Sequence, residues 1–317
     1  MPHRSIRIVK PPRLNPGDLI GIAAPSGPVL SHQKLNKGIR YLETLGYMVV
    51  LAPHAVEQRG YLAGFDKDRA QDLNDLFGNP HVRAIFVARG GYGMPRILPL
   101  LDYQLIRRNP KILVGYSDVT ALQLGLLAKT GLVTFAGPMV ATDIFRLQGL
   151  AEETFWRCLT STKPLGRLGN PTGRKLSTIN KGIGHGRLVG GNLSVLSALA
   201  GTEYLPDLRG AVLLLEEIDE QPYRIDRMLH QLKLAKLLDR LAGVVLGGFT
   251  NCVPSDKRKP SLSLGEIFRD TFASVRAPVL VNLHHGHVAD SLTLPLGVSA
   301  RVDGGRKTVE IVEGAVR

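Results

Sequence analysis

Short apolar runs alternate with amphipathic runs along the first 140 residues of the chain. The apolar runs, which resemble buried strands, cover residues 18–26, 47–52, 82–91, 111–117 and 131–138. Between the first three of them, residues 31–46 and 66–78 carry apolar side chains at helical spacing, and Ser31 is placed to cap the first helix. Apolar strands that alternate with helices predict a mostly parallel sheet with helices on both faces.

The pattern breaks after residue 140 and resumes near residue 185. The segment between is rich in Gly, Pro, Ser, Thr and basic residues, which is typical of a linker or loop. Strand-like runs follow at 186–191, 211–217, 244–250 and 278–286, helical patterns at 222–243 and 263–275, and a hairpin pattern around Asp-Gly-Gly at 299–313.

These patterns predict an α/β fold in three parts. We expect an N-terminal domain over residues 1–145, with a mostly parallel sheet flanked by helices. A linker or loop over residues 146–184 is expected to join it to a C-terminal α/β domain over residues 185–317, which has a β-barrel-like core. In a parallel sheet, ligands bind at the carboxyl ends of the strands, and both RGGYG and GYSD lie at such ends.

The charge balance narrows the partners expected for this fold. The 317 residues include 40 Lys and Arg against 27 Asp and Glu, a net charge of +13, which favours anionic partners. Aromatic residues make up only 6% of the chain and no nucleic-acid-binding motif appears, so we expect an acidic small substrate and no nucleic acid. The chain has no apolar run long enough for a membrane span and its first residues lack the apolar stretch of a signal peptide, so we expect a cytoplasmic protein without membrane contact. Cys158 and Cys252 stand in no metal or redox pattern and are expected to be structural thiols.

Ser117 lies where a strand pattern ends and a helix pattern begins. It could cap the helix, or it could be a nucleophile on a sharp turn, with the N–H of Asp118 facing a developing oxyanion. Val119 stands where a hydrolase GxSxG elbow has glycine, so that motif does not match. The glycines of RGGYG, residues 89–93, fit either a tight turn or a close backbone approach to a ligand. No glycine-rich motif has the spacing of a dinucleotide or phosphate loop, and we expect no cofactor.

A nucleophilic serine needs a base and an orienting carboxylate. His284, His285 and His287 cluster after an apolar strand, in a pattern that lacks the spacing of a metal site, so catalysis is favoured and no metal is expected. Glu216 and Glu217 end another apolar run. Because that run predicts burial on both faces, strand parity does not choose between the two acids.

Seven blocks, in order, resemble the LD-carboxypeptidases, a family of serine peptidases that also includes the microcin immunity peptidases. They are IGIAAPSGPV, ARGGYGMPRILPLLDY, VGYSDVTAL, TFAGPM, LVGGNLSVLSALAGTEYLPDL, LLLEEIDEQPYRIDRMLHQL and GHVADSLTLPLG. The resemblance implies a catalytic triad of Ser117, Glu216 and His287 that is spread over both domains. Glu217 and His285 are the rival candidates for the acid and the base.

The resemblance also implies an oxyanion hole and a reaction. The hole would use backbone N–H groups of Gly90, Gly91 and Asp118. The reaction would be hydrolysis of the L,D-peptide bond that releases terminal D-alanine from murein tetrapeptides during cell-wall recycling. The partners expected are this murein peptide and a second copy of the chain in a homodimer. Basic side chains of residues 163–187 could form a rim for the anionic substrate.

Three other functions make different demands on the chain. A microcin-immunity-type hydrolase of aminoacyl-nucleotide analogues would need an aromatic side chain to stack on the base; residues 165–190 contain none, and the single tryptophan, Trp156, lies in a helical pattern. A metal amidohydrolase would lose activity with a chelator. An anion-binding protein without catalysis would tolerate the loss of Ser117.

Overall fold

The structure, a computed structural model, describes residues 7–171, 175–256 and 258–317. The strands in these ranges are β1 Leu19–Ala23, β2 Met48–Leu51, β3 Val82–Val87, β4 Ile112–Gly115, β5 Thr134–Ala136, β6 Gly166–Arg167, β7 Ser177–Asn180, β8 Ile183–Asn192, β9 Val212–Ile218, β10 Gly243–Thr250, β11 Val279–Val281, β12 Leu294–Leu296, β13 Ser299–Asp303 and β14 Thr308–Ile311. The α-helices are α1 His32–Thr44, α2 Asp66–Gly78, α3 Met94–Ile97, α4 Tyr103–Arg108, α5 Thr120–Thr130, α6 Gly149–Thr160, α7 Leu193–Ala198, α8 Pro222–Leu234 and α9 Leu264–Phe272. Single 3-10 turns lie at Leu98–Leu100, Ser117–Val119 and Ile144–Arg146.

The first sheet has the strand order β12-β5-β4-β3-β1-β2. Strands β1 to β5 pair in parallel, and β12 pairs antiparallel with β5. The central strands β3 and β4 are buried almost throughout, which explains why they appear in the sequence as continuous apolar runs rather than alternating ones. The predicted mostly parallel sheet flanked by helices is confirmed.

The second sheet has the order β6-β14-β13-β8-β9-β10-β11-β7. Strands β8 to β11 are parallel neighbours, and antiparallel strands extend the sheet on both sides. The sheet curls into a half-barrel, in agreement with the predicted α/β fold with a barrel-like core. The hairpin expected at 299–313 is β13–β14, with Val302 opposite Val309.

Two predicted helices begin as expected, and one ends earlier. The Ser31 side chain accepts a hydrogen bond from the backbone N–H of Lys34 and caps α1, and α2 has the predicted bounds. Helix α8 was expected to reach residue 243 but ends at Leu234. Its chain reverses at Lys236, which has a φ of 58°, and the N–H of Leu237 bonds the carbonyl of Leu232 at 2.9 Å. This is a Schellman ending, in which a lysine occupies the left-handed position usually taken by glycine.

Several elements lie where the sequence predicted a linker or no regular structure. The segment 146–184, expected as a linker, includes α6, β6 and β7 among its described residues. Strand β12 follows residue 185 in sequence yet completes the first sheet, and the proposed division into domains stays a prediction. The basic residues Arg4 and Arg174, which belong to the predicted N-terminal and rim segments, lie outside the described residues. No helix in the described ranges is long and apolar enough to span a membrane.

Replacing Lys236 with glycine should stabilise the protein. A left-handed conformation costs an L-residue about 1–2 kcal/mol, and the added freedom of glycine in the unfolded chain offsets about 0.4–1 kcal/mol of that cost. Lys236→Gly should therefore raise the free energy of unfolding, measured in urea, by roughly 0.5–1 kcal/mol. The control Lys233→Gly, in the last helical turn of α8, should lower it by about 1 kcal/mol. Equal destabilisation by both variants would contradict this account of the helix end.

Candidate active site

The RGGYG turn and Ser117 meet because they follow neighbouring parallel strands. Residues 89–93 come after β3, and Ser117 comes after β4. A Cβ atom added at Gly90 would lie 3.0 Å from the Cβ and 3.2 Å from the Oγ of Ser117. Any side chain at position 90 would therefore crowd the hydroxyl, which accounts for the glycine.

Ser117 adopts a left-handed conformation with a φ of 67° at the start of a 3-10 turn. Its hydroxyl lies 3.1 Å from Nε2 of His287 and makes no capping hydrogen bond to the turn or to α5. The alternative role of Ser117 as a helix cap is therefore wrong. Backbone strain of this kind is concentrated at functional sites.

His287 connects Ser117 to Glu216. Its Nδ1 lies 2.7 Å from Oε2 of Glu216, and its backbone N–H donates to the same oxygen at 3.2 Å. An ionised carboxylate only accepts hydrogen bonds, so the proton of the neutral imidazole lies on Nδ1 and Nε2 is free to accept from the hydroxyl of Ser117. The three side chains form one relay, in the order Glu216, His287, Ser117.

Gly286 makes this approach possible. Its φ is +110°, and a Cβ atom at this position would lie 2.6 Å from Oε2 of Glu216. The Glu216 side chain is 2% exposed, so it has little room to move aside. Gly286 therefore allows the loop of residues 284–291, here called the histidine loop, to lie directly against the Glu216 carboxylate.

The rival acid and base have other partners. Glu217 accepts hydrogen bonds from the Asn192 amide at 2.8 Å and from the backbone N–H of Ser194 at 2.8 Å, and so anchors the start of α7. Nδ1 of His285 lies 2.8 Å from the carbonyl oxygen of Leu292. Within the part of the chain that the structure describes, no three His, Cys, Asp or Glu residues are placed to hold a metal ion.

The proposed oxyanion donors surround Ser117. Gly90 and Gly91 lie in the turn next to it, and Asp118 follows it in sequence. Across the described ranges, the backbone N–H groups of these three residues donate to no protein acceptor. The carboxylate of Asp118 has a separate role, because it accepts a hydrogen bond at 2.9 Å from the backbone N–H of Met94 and ties the turn to the serine.

Sequence reasoning missed Arg69, which supports the same turn. This arginine is 1% exposed. Its guanidinium donates to the carbonyl of Gly93 at 3.3 Å, to the carbonyl of Pro25, and to Asp66 Oδ1 at 2.6 Å. The only signal in the sequence is an arginine within a helical run, which normally predicts an exposed side chain.

Tyr116 and Asp143, also missed, adjoin the histidine. The rings of Tyr116 and His287 meet edge to face with centroids 4.9 Å apart, and burial, together with the nearby charge of Asp143, raises the pKa of the Tyr116 hydroxyl. Burial by itself lowers the pKa of His287, but the hydrogen bond and charge of Glu216, with the charges of Glu217 and Asp143, outweigh it, and the pKa is raised.

The arrangement can activate a serine hydroxyl. His287 can take the hydroxyl proton through Nε2 while Glu216 holds Nδ1–H and stabilises the imidazolium that forms. The unpaired N–H groups beside Ser117 are suited to stabilise negative charge on an attacked carbonyl oxygen.

Comparison with known proteins agrees with the architecture. The family described as the LD-carboxypeptidase N-terminal domain matches residues 20–137, and the LD-carboxypeptidase C-terminal domain matches residues 185–302. The probable murein peptide carboxypeptidase of Bacillus subtilis is 40% identical over 96% of this chain and 95% of its own length.

Two further similarities extend to solved structures. The microcin self-immunity protein MccF of Escherichia coli is 32% identical over 94% of each chain, and a solved structure of MccF aligns with a TM-score of 0.88 over 98% of this chain and 100% of its own. The muramoyltetrapeptide carboxypeptidase of Oxalobacter formigenes aligns with a TM-score of 0.80 at 29% identity, over 92% of this chain and 97% of its own.

Glu216→Gln should lower kcat far more than Glu217→Gln. Removal of the oriented carboxylate from a comparable triad costs about 10⁴-fold in kcat. Because Glu217 anchors α7 rather than His287, Glu217→Gln should mainly lower the midpoint of thermal unfolding. The measurement is kcat for peptide hydrolysis beside a melting curve for each variant. If the two variants rank in the opposite order for kcat, the acid is Glu217.

The activity should be lost on the acid side with a midpoint above about 6.5, the ordinary pKa of histidine. Neutral His287 is the active base and its pKa is raised, so activity is present above that pKa and disappears as the pH falls through it. The measurement is kcat/KM against pH, which reports the free enzyme.

The variant Asp143→Asn should move this midpoint to lower pH, because the charge of Asp143 is one of those that raise the pKa of His287. Asp270→Asn, which changes an exposed carboxylate on α9, is the matched control and should leave the midpoint in place. An unchanged midpoint in Asp143→Asn would show that this carboxylate does not act on His287.

Proposed function

We propose, since the chain belongs to the LD-carboxypeptidase family, that it is a serine carboxypeptidase that releases terminal D-alanine from murein tetrapeptides. Membership makes the protein a hydrolase of the peptidase class. The observation that carries the proposal further is the relay from Glu216 through His287 to Ser117, with contacts of 2.7 and 3.1 Å.

The reaction would proceed in two halves. Ser117 Oγ attacks the carbonyl carbon of the peptide bond while its proton passes to Nε2 of His287. The carbon–nitrogen bond then breaks, and His287 gives that proton to the leaving amine. In the second half, water attacks the acyl ester on Ser117 with His287 again as base, which releases the shortened peptide and restores the serine.

The N–H groups of the RGGYG turn and of Asp118 would stabilise the tetrahedral intermediate. Each such donor in a comparable hole contributes about 2.7–4 kcal/mol to the transition state. Asp118 and Arg69 hold that turn from inside the protein, so the donors would need little reorganisation during the reaction.

The choice of substrate rests on the relatives and on charge. Relatives carry the names murein peptide carboxypeptidase and muramoyltetrapeptide carboxypeptidase. The net charge of +13 suits a peptide that bears several carboxylates. Attraction of this kind weakens with salt, because the Debye length is about 8 Å at 0.15 M.

The similarity to MccF makes hydrolysis of an aminoacyl-nucleotide analogue the alternative. The single tryptophan gives it no support. Trp156 stacks on Tyr47 with centroids 5.3 Å apart, and its Nε1–H donates to the Tyr41 hydroxyl at 3.0 Å. Tyr47 therefore covers one face of this half-buried ring, and the indole N–H already has a partner.

The test measures D-alanine release from a murein tetrapeptide beside hydrolysis of an aminoacyl-sulfamoyl adenosine. The wild-type protein should prefer the peptide, keep its activity in EDTA, and be labelled at Ser117 by an organophosphonate. Ser117→Ala should lose activity by several orders of magnitude, as in a related triad where the loss is about 10⁶-fold. Ser161→Ala, at the end of α6, is the matched serine control and should retain activity.

Each contrary outcome removes a different part of the proposal. Preference for the adenosine compound would place the protein with the immunity peptidases. Inhibition by EDTA that zinc reverses would favour metal catalysis. A folded Ser117→Ala variant with turnover within about tenfold of the wild type would exclude the nucleophile, because triad losses are far larger.

A further inference from the structure

A cavity of about 290 Å³ lies beside the relay. Its walls come from Tyr116, from the chain that follows β5, and from the loop that carries His287. This volume is just below the range of about 300–1,000 Å³ that is usual for small-molecule sites. The cavity is therefore suited to a small group rather than to a long segment of peptide.

Three charged side chains line this cavity: Asp143, Arg146 and Asp290. Both carboxylates already accept hydrogen bonds from the protein. Asp143 accepts from the backbone N–H of Met139 at 3.3 Å, and Asp290 accepts from the Gln148 amide at 3.3 Å. These donors are neutral, and within the described ranges neither carboxylate forms an ion pair.

Arg146 is the one positively charged residue among the described residues that line the cavity. Within the described ranges its guanidinium forms no ion pair, and its Cζ carbon lies 5.3 Å from the centroid of the Phe145 ring. Arg146 is therefore the lining residue that is available to pair with an anionic group. The described basic residues of 163–187 do not line it.

The position of the cavity relative to His287 indicates which part of the substrate would enter it. A triad histidine gives its proton to the leaving amine, so the leaving group must lie on the histidine side of the serine. The cavity is walled by His285, Val288 and Ser291, which flank His287 in the same loop. The oxyanion candidates Gly90, Gly91 and Asp118 are not among the residues that line it.

We propose that this cavity binds the leaving amino acid, and that Arg146 pairs with its terminal carboxylate. This inference rests on the proposed carboxypeptidase function and deepens it. A charged anchor one residue beyond the scissile bond would make the enzyme require a free C-terminus, since a guanidinium and a carboxylate form strong, charge-assisted hydrogen bonds. The cavity would also favour a small terminal residue, such as alanine.

The test compares a tetrapeptide that has a free C-terminus with its C-terminal amide. Wild-type protein should favour the free acid. Arg146→Ala should lower kcat/KM for the acid by about 10- to 100-fold, the effect expected when a hydrogen bond to a charged group is lost. The preference for acid over amide should fall by the same factor, and Arg146→Lys, which keeps the charge, should retain part of it.

The matched control is Arg107→Ala. Arg107 is an exposed arginine near the end of α4, just before β4, and so lies at the edge of the sheet opposite to Ser117. This variant loses the same positive charge but should keep both kcat/KM and the preference for the acid. The comparison separates a local contact from the general attraction of a basic protein for an anion.

Inhibition by free D-alanine provides a second measurement. D-alanine is the product that would occupy the cavity, so Arg146→Ala should raise its inhibition constant, while Arg107→Ala should not. If Arg146→Ala keeps the wild-type preference for acid over amide, or the wild-type sensitivity to D-alanine, the cavity assignment is overturned. If wild-type protein releases D-alanine from neither peptide, the proposed function itself fails, which is a distinguishable result.

Discussion

The hydrogen bond between Glu216 and His287 determines the geometry of the whole site. Glu216 ends an apolar strand and is almost completely buried, so its carboxylate needs hydrogen-bond donors in place of water. Both donors come from one residue, the ring and the backbone N–H of His287. This double contact orients the imidazole toward Ser117, and Gly286 is required because any side chain there would collide with the carboxylate.

The relay depends on how the two sheets pack. Ser117 follows the first sheet, while Glu216 belongs to the second. Thr120 follows Ser117 by three residues, at the start of α5. Its hydroxyl accepts a hydrogen bond at 3.1 Å from the backbone N–H of Asn192 at the end of β8. A Cβ atom at Gly191 would approach the same hydroxyl to 2.6 Å. The second glycine thus allows the helix after the serine to dock on the strand beside Glu216, as Gly286 does for the histidine loop.

Most of the regular structure could be predicted from the hydrophobic pattern. The predicted bounds are close to the observed ones for long buried strands such as β3 and β9 and for helices with a clear apolar face such as α2. In these elements the run or spacing of apolar residues is long enough to identify the structure. Short elements such as α7 and β12 were not predicted, because a segment of a few residues is too short to show a periodic pattern of apolar positions. The end of α8 was missed because a lysine, rather than a glycine, takes the left-handed position.

For the site, the sequence by itself determined which residue types were available and at which strand ends: a serine after one apolar run, two acids at the end of another, and a histidine cluster after a third. The resemblance to a known family then selected Ser117, Glu216 and His287. Only the tertiary structure decided what each acid contacts, because neighbouring strand residues point to opposite faces, and the face that meets the histidine loop is set by packing. It also decided the places of Arg69, Asp143 and Arg146. Arg69 holds carbonyls of two distant segments, at Pro25 and Gly93, and Asp143 and Arg146 lie beside a loop more than 130 residues further along the chain. No local pattern of hydrophobic and polar residues records such contacts.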